Sequence, residues 1–238
     1  MISVMISLQE PQVEVDIIQD LDFYVKFDAE NDFTNYGSLG TTGTENSDVV
    51  HRAGVLGGSG EFDGVTDFVQ YTDIGDVGSN DFSVCYWGKA TNDQLGTVFN
   101  KGDISTGTEH ISLYHTNGGT TKNVLQTRFA SNIIDSGFVN IGVVDGKWHN
   151  ICWTADRDGN ALGYFDAVLQ TITESDISAN AGDINTTDNF FIGTTLQSGV
   201  SQRRLDATID DFRLYIGKIL TQTEITDIFN QRYDTKWT

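Results

Sequence analysis

Phe82-Ser83-Val84-Cys85-Tyr86-Trp87 and Trp148-His149-Asn150-Ile151-Cys152-Trp153-Thr154-Ala155 are the two stretches on which the fold turns. In an extended chain successive side chains point to opposite faces. The first stretch then carries Phe82, Val84 and Tyr86 on one face and Cys85 and Trp87 on the other, both apolar. Such a strand is either buried on both sides or turns Trp87 onto an open concave face, its ring free to stack on a sugar. In the second stretch Ile151 and Trp153 point together into a core, and Trp148, just ahead of the strand, closes an edge.

Outward from these two, the pattern repeats. Leu21, Phe23, Val25 and Phe27 alternate with Asp22, Tyr24, Lys26 and Asp28, which predicts a half-buried strand. Further short segments bounded by Gly, Asn and Asp fall at 66–72, 82–89, 96–100, 110–115, 123–129, 138–143, 148–155, 161–166, 168–173, 189–194 and 206–215. Many short strands with turn signals between them predict an all-β sandwich or barrel, not βαβ units. The absence of a repeat of about 20–50 residues excludes a propeller or solenoid. One helix is predicted, at Thr221-Gln222-Thr223-Glu224, a capping box followed by an apolar face of Ile225, Ile228 and Phe229. Residues 28–48, rich in Asp, Asn, Thr and Gly, read as a long loop. Residues 1–20 read as an N-terminal arm, and 21–238 as one domain.

Composition narrows the function. With 238 residues, 38% of them hydrophobic, the chain can bury a sizeable core. A net charge of −20 excludes non-specific binding to nucleic acid and to anionic lipid. The apolar start lacks a basic region, so no signal peptide is evident, and no run approaches the roughly 20 apolar residues of a membrane span. Work outside a cell would then require another route, such as assembly into a virus particle released by lysis. Zinc is not expected: His51, His110, His115 and His149 are scattered, and no Cys-x-x-Cys or His-x-x-x-His pair occurs. No Gly-x-Ser-x-Gly elbow is present, and Gly57-Gly58-Ser59-Gly60 leads into a strand rather than a phosphate-binding helix.

Five segments resemble, in order, the laminin G-like and pentraxin-like branch of the concanavalin A-like lectin/glucanase superfamily. They are Phe62-Asp63-Gly64-Val65-Thr66-Asp67-Phe68-Val69, Asp81 to Trp87, Trp148 to Asp156, Tyr164-Phe165-Asp166-Ala167-Val168, and Ile209-Asp210-Asp211-Phe212-Arg213-Leu214-Tyr215 with Leu220-Thr221 and Glu224-Ile225. The resemblance implies a two-sheet antiparallel jelly roll with a short C-terminal helix. It also implies a structural Ca²⁺ between Asp28, Asn31, Asp32 and Asn35 in the loop after the first strand and Asp210 near the end. Hard oxygen ligands suit that ion. In that family cysteines matching Cys85 and Cys152 are bridged on neighbouring strands, with a Cα–Cα distance near about 5.5 Å expected; two lone buried thiols are the alternative, decided by compartment. The superfamily's retaining glucanases need two flanking carboxylates. The nearest match, Glu174-Ser175-Asp176-Ile177-Ser178, lacks the second glutamate, so no enzyme is expected. Thr195-Leu196-Gln197-Ser198-Gly199 and Gly107-Thr108-Glu109 lack the pentraxin calcium-ligand pattern, of which Glu109 alone survives. Ala167 stands where the family has glycine, so that hairpin is expected to use a longer or different turn.

The function expected is a lectin-like module, extracellular or on a virion surface, whose partner is a glycan or glycosylated surface. Contact loops are 101–109, 115–122, 130–137, 156–160 and 195–204, with Trp87, Tyr114, His115, Arg203 and Arg204 as the ligand-binding candidates. The other expectation is a structural or decoration subunit anchored to neighbouring subunits by its arm.

Overall fold

The computed structural model describes residues 20–105, 109–116, 123–129, 132–139 and 141–231. The expected arm therefore lies outside the described residues except for Asp20. In chain order the strands are β1 (Phe23–Val25), β2 (Thr44–Asn46), β3 (Val50–Ala53), β4 (Gly58–Asp63), β5 (Phe68–Tyr71) and β6 (Phe82–Lys89). Then come β7 (Gly96–Lys101), β8 (His110–Thr116), β9 (Val124–Phe129), β10 (Asn132–Phe138), β11 (His149–Ala155) and β12 (Ala161–Phe165). The last are β13 (Val168–Leu169), β14 (Ile172–Thr173), β15 (Phe190–Ile192), β16 (Thr195–Gln197), β17 (Val200–Gln202) and β18 (Asp206–Ile216), before helix α1 (Gln222–Asn230).

These strands form two antiparallel sheets packed as a sandwich. The first sheet runs β13-β12-β11-β6-β18-β4-β3, with β1 also on β18; the second runs β14-β10-β9-β8-β7-β15-β5-β2. Between them lies one apolar core that includes Phe23, Phe82, Val84, Tyr86, Phe99, Phe138, Ile151, Trp153, Phe190 and Phe212. β6 and β11 sit side by side in its middle, with Val84 opposite Trp153 and Cys85 opposite Cys152.

The outer face of the first sheet is apolar too, and α1 covers it. Leu21, Tyr24, Cys85, Cys152, Tyr164, Tyr215 and Leu220 pack there against Ile225 and Ile228. The Thr221 side chain accepts from Glu224 N while the Glu224 carboxylate accepts from Thr221 N, so the capping box forms as expected. Cys85 and Cys152 are disulfide-bonded, with Cα atoms 4.2 Å apart. That is shorter than the spacing expected for a bridge in general, because directly opposed residues of an antiparallel pair approach to about 4.5 Å in the narrow register.

Several local expectations change, among them the 28–48 loop, within which β2 forms at Thr44–Asn46. Residues 132–138 form β10, whereas strand had been expected at 138–143 and a loop at 130–137; Asn132, Asp135 and Ser136 hid a strand whose outer side chains meet solvent. Gly58-Ser59-Gly60 opens β4 instead of preceding a strand; Cβ atoms on Gly58 and Gly60 would run into Asp28 and Phe27. β1 is buried on both faces, since Tyr24 lies against the α1 side of the sheet. Asp166 and Ala167 both adopt positive φ, 49° and 61°, and join Phe165 directly to Val168. The hairpin is thus the two-residue turn that glycine would make. Ala167 is held in it by Gln222, whose side-chain amide donates to the Ala167 carbonyl at 2.7 Å.

Candidate functional site

The second sheet presents the opposite outer face. On β5, β15, β7, β8, β9 and β10, residues flanking the inward apolar ones point outward, and strand register brings them into one transverse row. Gln70 lies opposite Phe191, Phe191 opposite Asn100, Asn100 opposite Ser112, Ser112 opposite Gln126, and Gln126 opposite Asp135. Five of the six are polar. The hairpin β16–β17 folds over the middle of this row. Leu196 N donates to Asn100 Oδ1 at 3.0 Å, and Asn100 Nδ2 donates to Ser112 Oγ at 2.9 Å, so both side chains are enclosed. Asp103 ties the hairpin down by accepting from Ser198 N and Gly199 N, each at 3.0 Å. Burial works to raise the Asp103 pKa, but these bonds and those from Ser105 hold it below the usual carboxylate range.

Beside the hairpin the row opens. Arg203 donates to Tyr114 Oη at 2.6 Å; Tyr114 Oη donates to Gln126 Oε1 at 3.1 Å, and Gln126 Nε2 donates to Asp135 Oδ1 at 2.7 Å. His110 Nε2 also meets Gln126 Oε1, at 2.8 Å. Burial pushes the Tyr114 pKa up, partly opposed by Arg203. Asp135 is exposed, and Gln126 and Arg203 are half-buried. Arg203 and Arg204 leave the base of the hairpin in different directions, the first over the Tyr114 ring at 5.2 Å and the second over the Phe68 ring at 4.6 Å. Phe68 packs on Phe191. The result is an ordered set of planar hydrogen-bonding groups with donors and acceptors facing one solvent-exposed edge, suited to hydroxyl-rich ligands.

Of the five ligand candidates, Tyr114, Arg203 and Arg204 come to this face. Trp87 and His115 do not. Trp87 points from the first sheet into the helix side and stacks on Phe229, 5.6 Å between ring centroids at 19°. A strand apolar on both faces needs cover on both, and α1 supplies it. His115 points inward, with Nδ1 at 2.8 Å from Tyr86 Oη and Nε2 at 3.2 Å from Val143 O. Burial depresses its pKa to about 4. Gln126, Asp135, Asn100, Ser112, Gln70 and Phe191 went unnoticed in the sequence, although the polar alternation of Ser112 and Tyr114 with Ile111 and Leu113 was a signal. Of the loops, 106–108, 117–122 and 130–131 lie outside the described residues; 156–160 holds Arg157, which is buried and clamps the Gly78, Asn180 and Gly182 carbonyls.

The calcium candidates divide in the same manner. Asp28 and Asp210 both meet the 54–58 segment: Asp28 Oδ1 accepts from Gly58 N at 3.0 Å, and Asp210 Oδ2 accepts from Val55 N and Leu56 N at 2.7 and 2.9 Å. Asp210 Oδ1 is buried without a hydrogen-bond partner. Burial, then Asp211 and Asp28, push its pKa up to about 8. A cation would relieve that orphaned oxygen, so these two carboxylates fit one. The other three positions fit less well. Asp32 accepts from Tyr36 Oη and Thr34 N, Asn35 is buried and binds Tyr24 N, and Asn31 is exposed at a φ of 61°. Among the described residues no three His, Cys, Asp or Glu side chains converge into a metal-holding group, so backbone oxygens would have to complete the shell.

Two antiparallel sheets packed face to face, with one outer face covered and the other largely polar, define a jelly roll of the concanavalin A-like kind. Residues 63–226 match a laminin G-type family of the concanavalin A-like lectin/glucanases superfamily, and the chain belongs to that family. Solved structures agree on the fold. The binding domain of Paraclostridial Mosquitocidal Protein 1 superposes with a TM-score of 0.69 at 14% identity, over 90% of this chain and 53% of that one. Domain 4 of AbnA, a GH43 extracellular arabinanase from Geobacillus stearothermophilus solved with arabinotriose, gives 0.67 at 21%, over 88% and 98%. The Botulinum Neurotoxin serotype G binding domain gives 0.63 at 15%, over 88% and 50%. This chain thus spans about half the length of the two toxin binding domains and nearly all of the arabinanase domain. No curated protein matches it in sequence.

Proposed function

We propose that the chain is a carbohydrate-recognition module that works outside the cell, and that its ligand lies on the outer face of the second sheet. The observation that carries this reading is the hydrogen-bonded series Arg203–Tyr114–Gln126–Asp135 at the open end of the transverse row. Its members come from β8, β9, β10 and the segment after β17, and they offer a guanidinium, an amide and a carboxylate at one edge. Sugar hydroxyls both donate and accept, and such groups held in advance by the sheet bind them at little entropic cost. The arabinanase domain solved with arabinotriose supports a sugar ligand. Recognition without hydrolysis is the expected activity.

Asp28 and Asp210 hold a structural Ca²⁺ in this proposal. The ion would supply charge neutralisation to buried carboxylates and fix the 54–58 segment to β18; it takes no part in sugar chemistry. A glycan array probed with and without calcium tests the module: binding to a defined sugar, lost in Gln126→Ala, supports it, and an array without any bound glycan refutes it. For the ion, calcium should raise the melting midpoint over protein kept in EDTA, by linkage worth about 2.7 kcal/mol at a hundredfold excess over Kd. Asp210→Ala should remove the rise, and identical midpoints with and without calcium would delete the ion from the account.

A further inference from the structure

Charge is unevenly spent in this protein. Carboxylates outnumber cations 34 to 14, and Arg52, Lys101, Lys147, Arg213 and Lys218 are each within ion-pair distance of one or more. Arg203 and Arg204 are not among these, as Lys26, Lys89 and Arg157 are not, but these two are adjacent in sequence and lie over rings on the outer face of the second sheet. Each is seated on an aromatic ring and gives one hydrogen bond to a neutral oxygen, Arg203 to Tyr114 Oη and Arg204 to Thr66 O. Neither forms an ion pair among the described residues, and none of their nitrogens is among the buried atoms lacking a partner, so the remaining N–H groups are open to solvent. The acidic turn nearby acts on Arg204 only through charge, since burial and then Asp63 and Asp67 shape its environment while the turn's carboxylates form no ion pair with it and hold the turn itself. Asp63 accepts from Val65, Thr66 and Asp67 N, and Asp67 accepts from Asp63 N.

Two consecutive guanidinium forks, held over rings with donors open to solvent, are set out to meet anionic groups on whatever lies on this face. We infer that Arg203 and Arg204 read negative charge on the ligand, so the glycan is an acidic one bearing carboxylate or sulfate groups. Planar forks match both anions through paired hydrogen bonds. The rings under them lie on β8 and β5, three strand steps apart, or about 14 Å at the usual spacing. A ligand touching both forks therefore carries its charges on separate sugars. Asp135, at the far end of the row, accepts from hydroxyls and turns the charged end of the chain toward the arginines. This inference rests on the outer face being the ligand face.

Affinity electrophoresis of the whole chain through gels holding polygalacturonate, dextran sulfate, dextran or linear arabinan tests it. Retardation by polygalacturonate marks a carboxylate, by dextran sulfate a sulfate, and either should exceed retardation by the neutral polymers and fade with added salt. The double variant Arg203→Gln/Arg204→Gln should lose about tenfold in affinity for the acidic polymer. Arg52→Gln, on an exposed arginine paired with Glu61, should lose nothing. Arg203→Lys keeps the charge and the packing while losing the fork, and should bind with intermediate strength, which guards against a misfolded double variant. Neutral polymer bound as tightly as acidic polymer, with the double variant equal to wild type, overturns the inference and leaves the ligand face standing. No retardation by any polymer overturns both.

Discussion

The two outer faces of this sandwich are made by the same alternation and meet opposite fates. On the first sheet the outward residues of β6, β11 and β18 include Cys85, Trp87, Cys152 and Tyr215, with the Asp211–Arg213 ion pair buried among them, and an amphipathic helix closes over them. On the second sheet the outward residues of the row are Gln70, Phe191, Asn100, Ser112, Gln126 and Asp135, and among the described residues the β16–β17 hairpin crosses them. An apolar face is completed within the chain, whereas a polar face retains hydrogen-bonding capacity for something outside it. Stability is therefore concentrated on one outer face, and the proposed recognition site lies on the other.

The strongest way to break that division is to remove the disulfide. Cys85 and Cys152 are 67 residues apart in sequence, and cross-linking them restricts the unfolded chain by about 4 kcal/mol in the loop-entropy description. Cys85→Ser/Cys152→Ser should lose that much in denaturant titration, while the protein that remains folded binds its glycan as before. Loss of affinity in folded double variant would show that the two faces are coupled.

Tyr114 and His115 sharpen the comparison from within one strand, since adjacent residues face outward and inward. The His115 pKa is depressed to about 4, below the roughly 6.5 of an unfolded chain. Between these values the unfolded state takes up a proton that the native state refuses. Stability is thus fully present above pH about 6.5 and falls as the pH drops toward about 4, by on the order of 3 kcal/mol. Denaturant midpoints across that range should show the fall in wild type and a shallower one in His115→Gln. Equal slopes would place His115 in solvent.

The smallest effect concerns the helix side alone. Ala167 occupies a left-handed conformation that costs a residue with a Cβ about 1 kcal/mol. Ala167→Gly should gain up to that amount in thermal unfolding, and a loss would mean that the methyl contact with the α1 cluster outweighs the strain.

The helix side was the more legible in sequence, for a physical reason. Capping boxes, apolar helix faces and doubly apolar strands are local patterns, so α1, β6 and β11 fall where expected. The ambiguity of Trp87 was also local, and it resolved toward burial once α1 was in place. The proposed ligand face was hardly legible. Its row joins residues 70, 100, 112, 126, 135 and 191, which only strand pairing assembles, and the polarity that suits β10 to solvent made it read as a loop. Similarly, Asp28 and Asp210 meet through the 54–58 segment, whereas of the neighbours of Asp28 in sequence Asp32 and Asn35 turn to other partners and Asn31 is exposed.

Titration calorimetry with the strongest glycan from the array decides the matter most directly, comparing Gln126→Ala on the open row with Gln222→Ala on α1. Gln126→Ala should weaken binding by about tenfold or more, alongside a stability loss of about 1–3 kcal/mol from the hydrogen bonds it gives up, and Gln222→Ala should bind as wild type. Undiminished affinity in Gln126→Ala, or a loss in Gln222→Ala, would contradict the assignment of recognition to the outer face of the second sheet.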